Sequence, residues 1–307
     1  NYHGPASFAY TVADGNGGSA STSVTINVTS VNDITALDLD ASGGGTGFAV
    51  TYTENDGPLT LVDTDIALSD ADDTDLESAT VTLNNGQVGD QLLVGALPGG
   101  LSVGIVPAGP LASAGPVTVT ITGTASLADY QTALLAITFQ SVSESPSTVQ
   151  RNISFVTNDG ENDSNLATTT VDVISVNDVP VAVNDGPFTV QEDTPLTFLQ
   201  SVLLVNDTDL DGDTLTVLSV QSPVNGTVAL NGSNDVIFTP DPEYSGPASF
   251  TYTVSDGNGG TSIATVDLNV VAVNDAPVVD LDTGTAGIDY AITYTENDPA
   301  LAIVDAT

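Results

Sequence analysis

Cysteine, methionine, tryptophan and lysine are all absent from these 307 residues, and the only basic side chains are Arg151 and His3. Against them stand 40 acids, a formal charge of -39. Nucleic-acid binding needs Lys/Arg stripes that displace counterions, and none exist here. Anionic membrane surfaces would repel the chain for the same reason. No apolar run approaches the roughly 20 residues of a membrane-spanning helix, and no charged-then-apolar signal segment opens the chain. With no methionine, the stretch is expected to begin inside a longer polypeptide. The missing cysteines leave the compartment open, since a secreted chain can dispense with disulfides if its domains have real cores or bound metals. A salt-bridge-based stability scheme is excluded, because the acids have almost nothing to pair with.

What is present is a core-forming 40% of hydrophobic residues and a repeat, which must be found before the fold is judged. "YHGPASFAYTVADGNGG" at 2–18 returns as "YSGPASFTYTVSDGNGG" at 244–260, and "TYTEND" at 51–56 returns at 293–298. Each pair is displaced by 242 residues without a gap. A shorter echo links 155–178 to 252–275, so that Val-Asn-Asp closes units at 31–33, 176–178 and 273–275. The chain therefore divides into the rear of a short unit (1–33), a long unit (34–178), a short unit (179–275) and the front of another long unit (276–307). The two partial ends do not complete each other.

Alternating apolar and polar residues dominate, as in "VTVTIT" (117–122) and "SFTYTV" (249–254), which is the signature of half-buried strands. Asn-Gly, Asp-Gly and Gly-Gly punctuate them at the spacing of an all-β sandwich. The short unit is read as seven strands near 181–191, 195–204, 214–220, 227–230, 236–239, 248–255 and 261–272, an immunoglobulin-like sandwich without the disulfide. The long unit reads as the same sandwich with insertions around 85–115 and one helix at 126–137, where Ser126 can cap and Leu127, Tyr130, Leu134 and Ile137 share a face. Phe250 and Tyr252 are read as core residues on opposite faces of one strand, and His3 as an ordinary loop residue. The fold class is all-β: tandem immunoglobulin-like/cadherin-like sandwiches with one short helix in the longer domain.

"NDTDLDGDTLTV" (206–217) carries Asp207, Asp209, Asp211 and Asp213 at alternate positions. Two carboxylates about 4 Å apart repel by roughly 4 kcal/mol at an effective dielectric near 20, so something must neutralise them. In a sandwich entered from one end, this loop and the one holding Asp256 return to the linker Asn177-Asp178. Glu192 closes the first strand, and Asp241 and Glu243 precede the sixth. These acids gather near the next linker, Asn274-Asp275. In the long unit Asp70, Asp72, Asp73 and Asp75 fill the leading loop near Asn32-Asp33, and Glu54 marks the far end. Clusters of carboxylate and amide oxygens on loops are what Ca²⁺ takes, typically about six to eight per ion. Zinc would want His or Cys, and magnesium keeps most of its waters. An EF-hand is excluded: its twelfth position would be Leu218, and strands flank the loop.

The run "VNDVPVAVNDGPFTVQEDTPLTF…VNDTDLDGDTLTV…FTPDPEYSGPASFTYTVSDGNGG" resembles the cadherin-like, Ig-like tandem repeats of giant bacterial secreted surface proteins of the repeats-in-toxin adhesin type. "ITGTASLADYQTALLAITF" resembles the larger cadherin-like repeat found beside them. The resemblance implies calcium at each joint, held by a first-strand Glu (Glu54, Glu192), acids before the sixth strand (Asp241 or Glu243), the Asn-Asp linker, and Asp-x-Asp from the next unit (Asp207, Asp209). The linker is only Val-Asn-Asp, and the acid-Arg-Glu element of cadherins is missing.

The function expected is a calcium-rigidified stalk segment of an extracellular bacterial adhesin or surface repeat protein. Its partners are neighbouring repeats of the same chain, with self-association or a host or surface ligand as further partners. The alternatives are a subunit segment of a filament or sheath and a ligand-binding adhesin module. An enzyme is not expected: Ser/His/Asp catalysis cannot be assembled around one terminal histidine, and a glycosidase needs two carboxylates facing across a cleft.

Overall fold

The computed structural model describes residues 2–29, 31–275 and 293. The stretch 276–307, expected to open another long unit, lies outside them apart from residue 293. By contact the chain divides into two units. The first comprises Asn1–Val179 together with the loops Asp209–Asp213 and Asn258–Gly260; the second is the remainder of the described chain from Pro180 onward.

The first unit opens with an antiparallel hairpin, Gly4–Ala13 against Ser19–Val28. A six-stranded sheet follows, in the order Phe48–Thr53, Ala167–Ile174, Arg151–Asn158, Asp75–Gly86, Gly115–Ser126, Ser102–Val106. It faces a three-stranded sheet of Leu59–Thr60, Ile137–Ser141 and Asp90–Val94, and a short pair, Ala36–Asp38 with Ala67–Ser69. The period-two pattern does what it predicts: Val81, Val119, Ile121, Ile153 and Phe155 are wholly buried while their neighbours in sequence face outward. The expected insertion at 85–115 supplies an edge strand to each of these two sheets. The helix spans Leu127–Leu135, and the Ser126 hydroxyl accepts the Asp129 N–H at 3.2 Å as its N-cap.

The one arginine is spent inside this sandwich. Arg151 heads the fully buried side chains of the described residues by size, and its Nε donates to Asp90 Oδ2 at 2.6 Å. A second nitrogen donates to Asp90 Oδ1 at 3.3 Å, and the third to the Val149 carbonyl. Among the described residues ion pairing, excluded as a scheme from composition, therefore operates once, where both charges are dry and hydrogen-bonded.

The second unit is a sandwich of a four-stranded sheet, Asp185–Gln191, Thr261–Val271, Gly246–Ser255, Thr216–Val224, and a three-stranded sheet, Leu196–Phe198, Val236–Pro240, Gly226–Leu230. Two expectations are corrected here. The strand expected over 195–204 covers only Leu196–Phe198, and the chain then winds through a helical turn, Gln200–Leu203, and a 3-10 turn, Leu204–Asn206. An apolar run without strict alternation does not separate strand from helix. Winding carries Leu203 fully into the core, and Asp235 Oδ1 accepts the Gln200 N–H at 3.1 Å. Phe250 and Tyr252 lie on the same face, both wholly buried, because residues two apart on a strand point the same way.

Candidate metal centre

In each sandwich an early strand runs parallel to the last: Phe48–Thr53, which follows Ala36–Asp38, beside Ala167–Ile174, and Asp185–Gln191 beside Thr261–Val271. Parallel pairing brings the end of that strand next to the linker leaving the last. Glu54 and Glu192 sit at those ends. The Glu54 N–H donates to the Ile174 carbonyl at 2.9 Å, and that of Glu192 to Val271 at 3.1 Å. Their side chains then take the first N–H of the linker. Glu54 Oε2 accepts from Val176 at 2.7 Å, and Glu192 Oε1 from Val273 at 2.7 Å. The following residues, Asn55 and Asp193, turn the chain away at φ +66° and +56°, a left-handed conformation that Asn and Asp tolerate best. In all three linkers the Asn side chain donates to the carbonyl of the next Asp: Asn32 to Asp33, Asn177 to Asp178, Asn274 to Asp275.

Glu54 is only 4% exposed, and its second oxygen, Oε1, is buried with no hydrogen-bond partner. Glu144 and Asp178 each bring a carboxylate oxygen so that the three lie within 4.8 Å of one another. Asp178 Oδ2 is also buried without a partner, while the Asp178 N–H donates to Asp211 Oδ2 at 2.6 Å. Asp209 organises its own loop: its Oδ1 accepts the N–H groups of Asp211 and Asp213 at 3.0 and 3.2 Å, and its Oδ2 is a third buried oxygen without a partner. Asp213 Oδ2 takes the Asn258 amide at 2.7 Å. Ser145, Val176, Asn177, Asp211, Asp213 and Asn258 line an open cavity of ≈ 300 Å³ here.

At the leading end of the long sandwich Asp70, Asp72 and Asp73 form a second group. Burial pushes the Asp70 carboxyl up, but the N–H groups of Asp72 and Asp73 and the Thr35 hydroxyl outweigh it and hold it below the ordinary aspartate value. Asp73 is raised, by desolvation and then by the charges of Asp72, Asp70, Asp159 and Glu161. The linker joins this end through the Asp33 N–H, which donates to Asp72 Oδ1 at 3.2 Å, and the Asn32 amide, which donates to Asp159 Oδ2 at 2.9 Å. His3, read as an ordinary loop residue, lines a cleft of ≈ 630 Å³ here with Asn32, Asp72, Asp73, Glu77 and Asp159. Asp75 lies on the following strand, exposed and outside the group.

Within the second unit Asp193, Glu243 and Asp275 gather in the same way, and the charges of Asp275 and then Asp193 push the Glu243 carboxyl up. Asp241 stays outside this group as a turn residue whose N–H donates to the Asn225 carbonyl at 3.2 Å. Asp256 is 4% exposed, after the strand Gly246–Ser255.

Asp207 stands apart from its neighbours in sequence. It is buried; its Oδ1 accepts the Val183 N–H at 2.8 Å, and its Oδ2 the Tyr252 hydroxyl at 3.2 Å. The same hydroxyl reaches Asp185 Oδ2 at 2.8 Å. Desolvation raises both carboxyls, and the Tyr252 phenol is pushed up as well, by burial and then by Asp185. The alternating pattern carried no hint that one of the four acids turns inward. The Asp-x-Asp turned toward the linker is Asp209-x-Asp211. Glu144 was also missed, although "SES" before the strand Arg151–Asn158 corresponds in place to the Asp241–Glu243 turn. A further acidic group, Asp40, Asp63 and Asp65, lies apart from the linkers in sequence.

The donors assembled around the linkers are oxygens, which fits a hard cation such as Ca²⁺. Three buried oxygens without partners fit it too, because a dry carboxylate needs a compensating positive charge or hydrogen bond.

A family model described as a cadherin-like domain matches residues 176–271. No curated protein sequence matches the chain significantly. Similar solved structures include mouse cadherin-23 EC22-24, at 18% identity over 87% of this chain and 74% of that one, with TM-score 0.38. Mouse clustered PcdhgC3 EC1-3 has 14% identity over 88% and 77%, with TM-score 0.34. An endo-fucoidan hydrolase of glycoside hydrolase family 107 has 16% identity over 89% and 35%, with TM-score 0.24; the chain spans about a third of that hydrolase. Such distant likenesses decide nothing about activity. Residues 176–271 form a cadherin-like domain, a typically non-enzymatic module of extracellular adhesive and structural proteins.

Proposed function

We propose that the chain is a calcium-rigidified extender, a stalk segment of a large extracellular adhesin or surface repeat protein secreted by a bacterium. One observation carries the reading: Glu54 Oε1 is buried without a partner, beside Glu144 and Asp178, where charge repulsion alone would drive the three apart. Glu54, Glu144 and Asp178 would hold the ion, with Asp209, Asp211 and Asp213 as the following loop's contribution. Glu192, Asp193, Glu243 and Asp275 would do the same at the next linker, and Asp70, Asp72 and Asp73 at the preceding one.

The ion would supply positive charge. The protein's own residues supply the rest: Glu54 and Glu192 clamp the first linker N–H, Asn177 and Asn274 shape the linker, and Asp209 folds its loop. Without the ion these acids repel across a Debye length of about 8 Å at physiological salt. Extracellular calcium modules bind at roughly 10⁻⁴ to 10⁻³ M, a range met outside cells. Each sandwich would add roughly 30 Å of reach, taking strands of about ten residues at 3.3 Å each.

The test is a calcium titration of chelator-treated protein, followed by calorimetry and X-ray scattering. Calcium should raise the melting temperature and sharpen the scattering profile. Identical profiles in calcium and in chelator would remove the stalk reading.

A further inference from the structure

The six-stranded sheet of the long sandwich ends on Ser102–Val106, which among the described residues pairs with Gly115–Ser126 on one side only. Its outer edge presents backbone N–H and C=O groups to solvent, the arrangement that invites a further strand. Other edges in the molecule are interrupted. Asp185–Gln191 carries Pro187 and a register shift, and Thr216–Val224 carries Pro223 and two such shifts. Leu59–Thr60 and Leu196–Phe198 are two and three residues long. Phe48–Thr53, the opposite edge of the same sheet, runs straight into Glu54. Ser102–Val106 has none of these devices: its five pairs run in unbroken register, and it contains no proline and no charge. Ser102, Val103, Gly104 and Val106 are exposed, Val103 by 45% and Val106 by 72%.

We infer that this edge pairs antiparallel with the same edge of a second copy of the chain, joining two six-stranded sheets into one. Charge selects the occupant. Each chain carries -39, so two copies repel wherever their acids meet. Residues 91–128 contain no charged side chain, the longest such run in the sequence. They include the strand itself, the loops at both its ends and the strand behind it. A second copy can approach here without setting carboxylate against carboxylate, whereas a basic partner would be drawn to the acids elsewhere. Twofold symmetry closes the contact by using one patch twice. With Gly104 facing Gly104, each Val103 meets the copy's Ile105 on the side where Ile105 packs against the core. Such apolar cross-strand pairs are what stabilise a sheet. The contact rests on the long sandwich alone and is independent of the metal groups.

Sedimentation of the intact 307-residue chain should show dimers whose share rises between about 0.15 M and 1 M salt, as the Debye length falls from about 8 to about 3 Å and the remaining repulsion is screened. Cysteine is absent from the chain, so one introduced thiol reports the register. Antiparallel partners lie about 4.5–5.5 Å apart between Cα atoms, within disulfide reach. A Cβ at Gly104 meets nothing within 4 Å, so the fold accepts the change. Under mild oxidation Gly104→Cys should cross-link roughly tenfold faster than Thr80→Cys, because pairing holds its thiols at high effective concentration. Thr80 is exposed on an inner strand of the same sheet. Adding Ser102→Asp/Val106→Asp sets like charges opposite each other at two exposed positions. The rate should then return to that of Thr80→Cys, with the melting temperature unchanged. A chain monomeric at both salts, equal rates at the two positions, or cross-linking of Gly104→Cys that the added acids leave untouched would each overturn the pairing.

Discussion

Glu54 Oε2 accepts the backbone N–H of Val176 at 2.7 Å, fastening the end of the strand Phe48–Thr53 to the linker that leaves the last strand. The same bond recurs between Glu192 and Val273. In both cases one oxygen of the carboxylate is committed to the linker backbone. At Glu54 the other is left buried and unpaired beside two more acids. Shape and charge are thus assigned to different oxygens of one side chain, which a conservative substitution can separate.

Glu54→Gln keeps an acceptor for Val176 and removes the charge. Calcium at about a hundred times its Kd stabilises a site-bearing fold by roughly 2.7 kcal/mol. Most of that gain should vanish in Glu54→Gln, while stability in chelator stays level or rises. Urea unfolding with and without calcium reads both effects.

Asp207 and Asp209 are two residues apart and should behave oppositely. Asp209→Asn should blunt the calcium response. Asp207→Ala should cost about 1–3 kcal/mol in calcium and chelator alike, because the Val183 N–H loses its buried acceptor. Equal calcium responses in the two variants would contradict the inward placement of Asp207.

Arg151→Met leaves Asp90 buried without its cation. Removing one partner of such a pair typically costs about 3–5 kcal/mol. The double variant Arg151→Met/Asp90→Leu should recover much of the loss, since it removes both desolvated charges. Chemical denaturation of the single and double variants is the measurement, and it is calcium-independent.

Asp185 on one side, and Asp70 and Asp159 on the other, should contribute to pH dependence with opposite sign in chelator. Asp185 has a raised carboxyl, with Asp207 and Tyr252 as the ionisable groups facing it. The folded state therefore holds its proton longer than the unfolded state. This contribution is lost as pH rises from the ordinary aspartate range to the raised folded value. Asp70 and Asp159 are held low by hydrogen bonds that outweigh burial. Their contribution is present above the ordinary aspartate range and is lost as pH falls through their lowered values. Amide exchange followed separately in the two sandwiches between about pH 3 and 6 should resolve the opposing contributions, and Asp185→Asn should reduce the slope of the second, leaving the part that the raised Asp207 and Glu243 carboxyls contribute.

Much of this was legible from local pattern. Alternation of apolar residues placed Gly246–Ser255 and Thr261–Val271 within two residues, because a strand's side-chain period is a property of the backbone alone. The oxygen-rich, cation-poor inventory narrowed the candidate ligand to a hard cation. The helical winding at Gln200–Asn206 escaped, because an unbroken apolar stretch fits either period until the core selects one.

Which acids face which way was settled by contacts distant along the chain. Tyr252 and Val183 turn Asp207 inward, while the backbone of Asp211 and Asp213 holds Asp209 in its loop. Glu144 joins Glu54 and Asp178 across long sequence separations, and Arg151 finds Asp90 sixty-one positions away. Backbone periodicity and composition are local or summed quantities, so one dimension suffices for them. The direction of a loop carboxylate depends on which donors and strands fold around it, and only the packed chain supplies those.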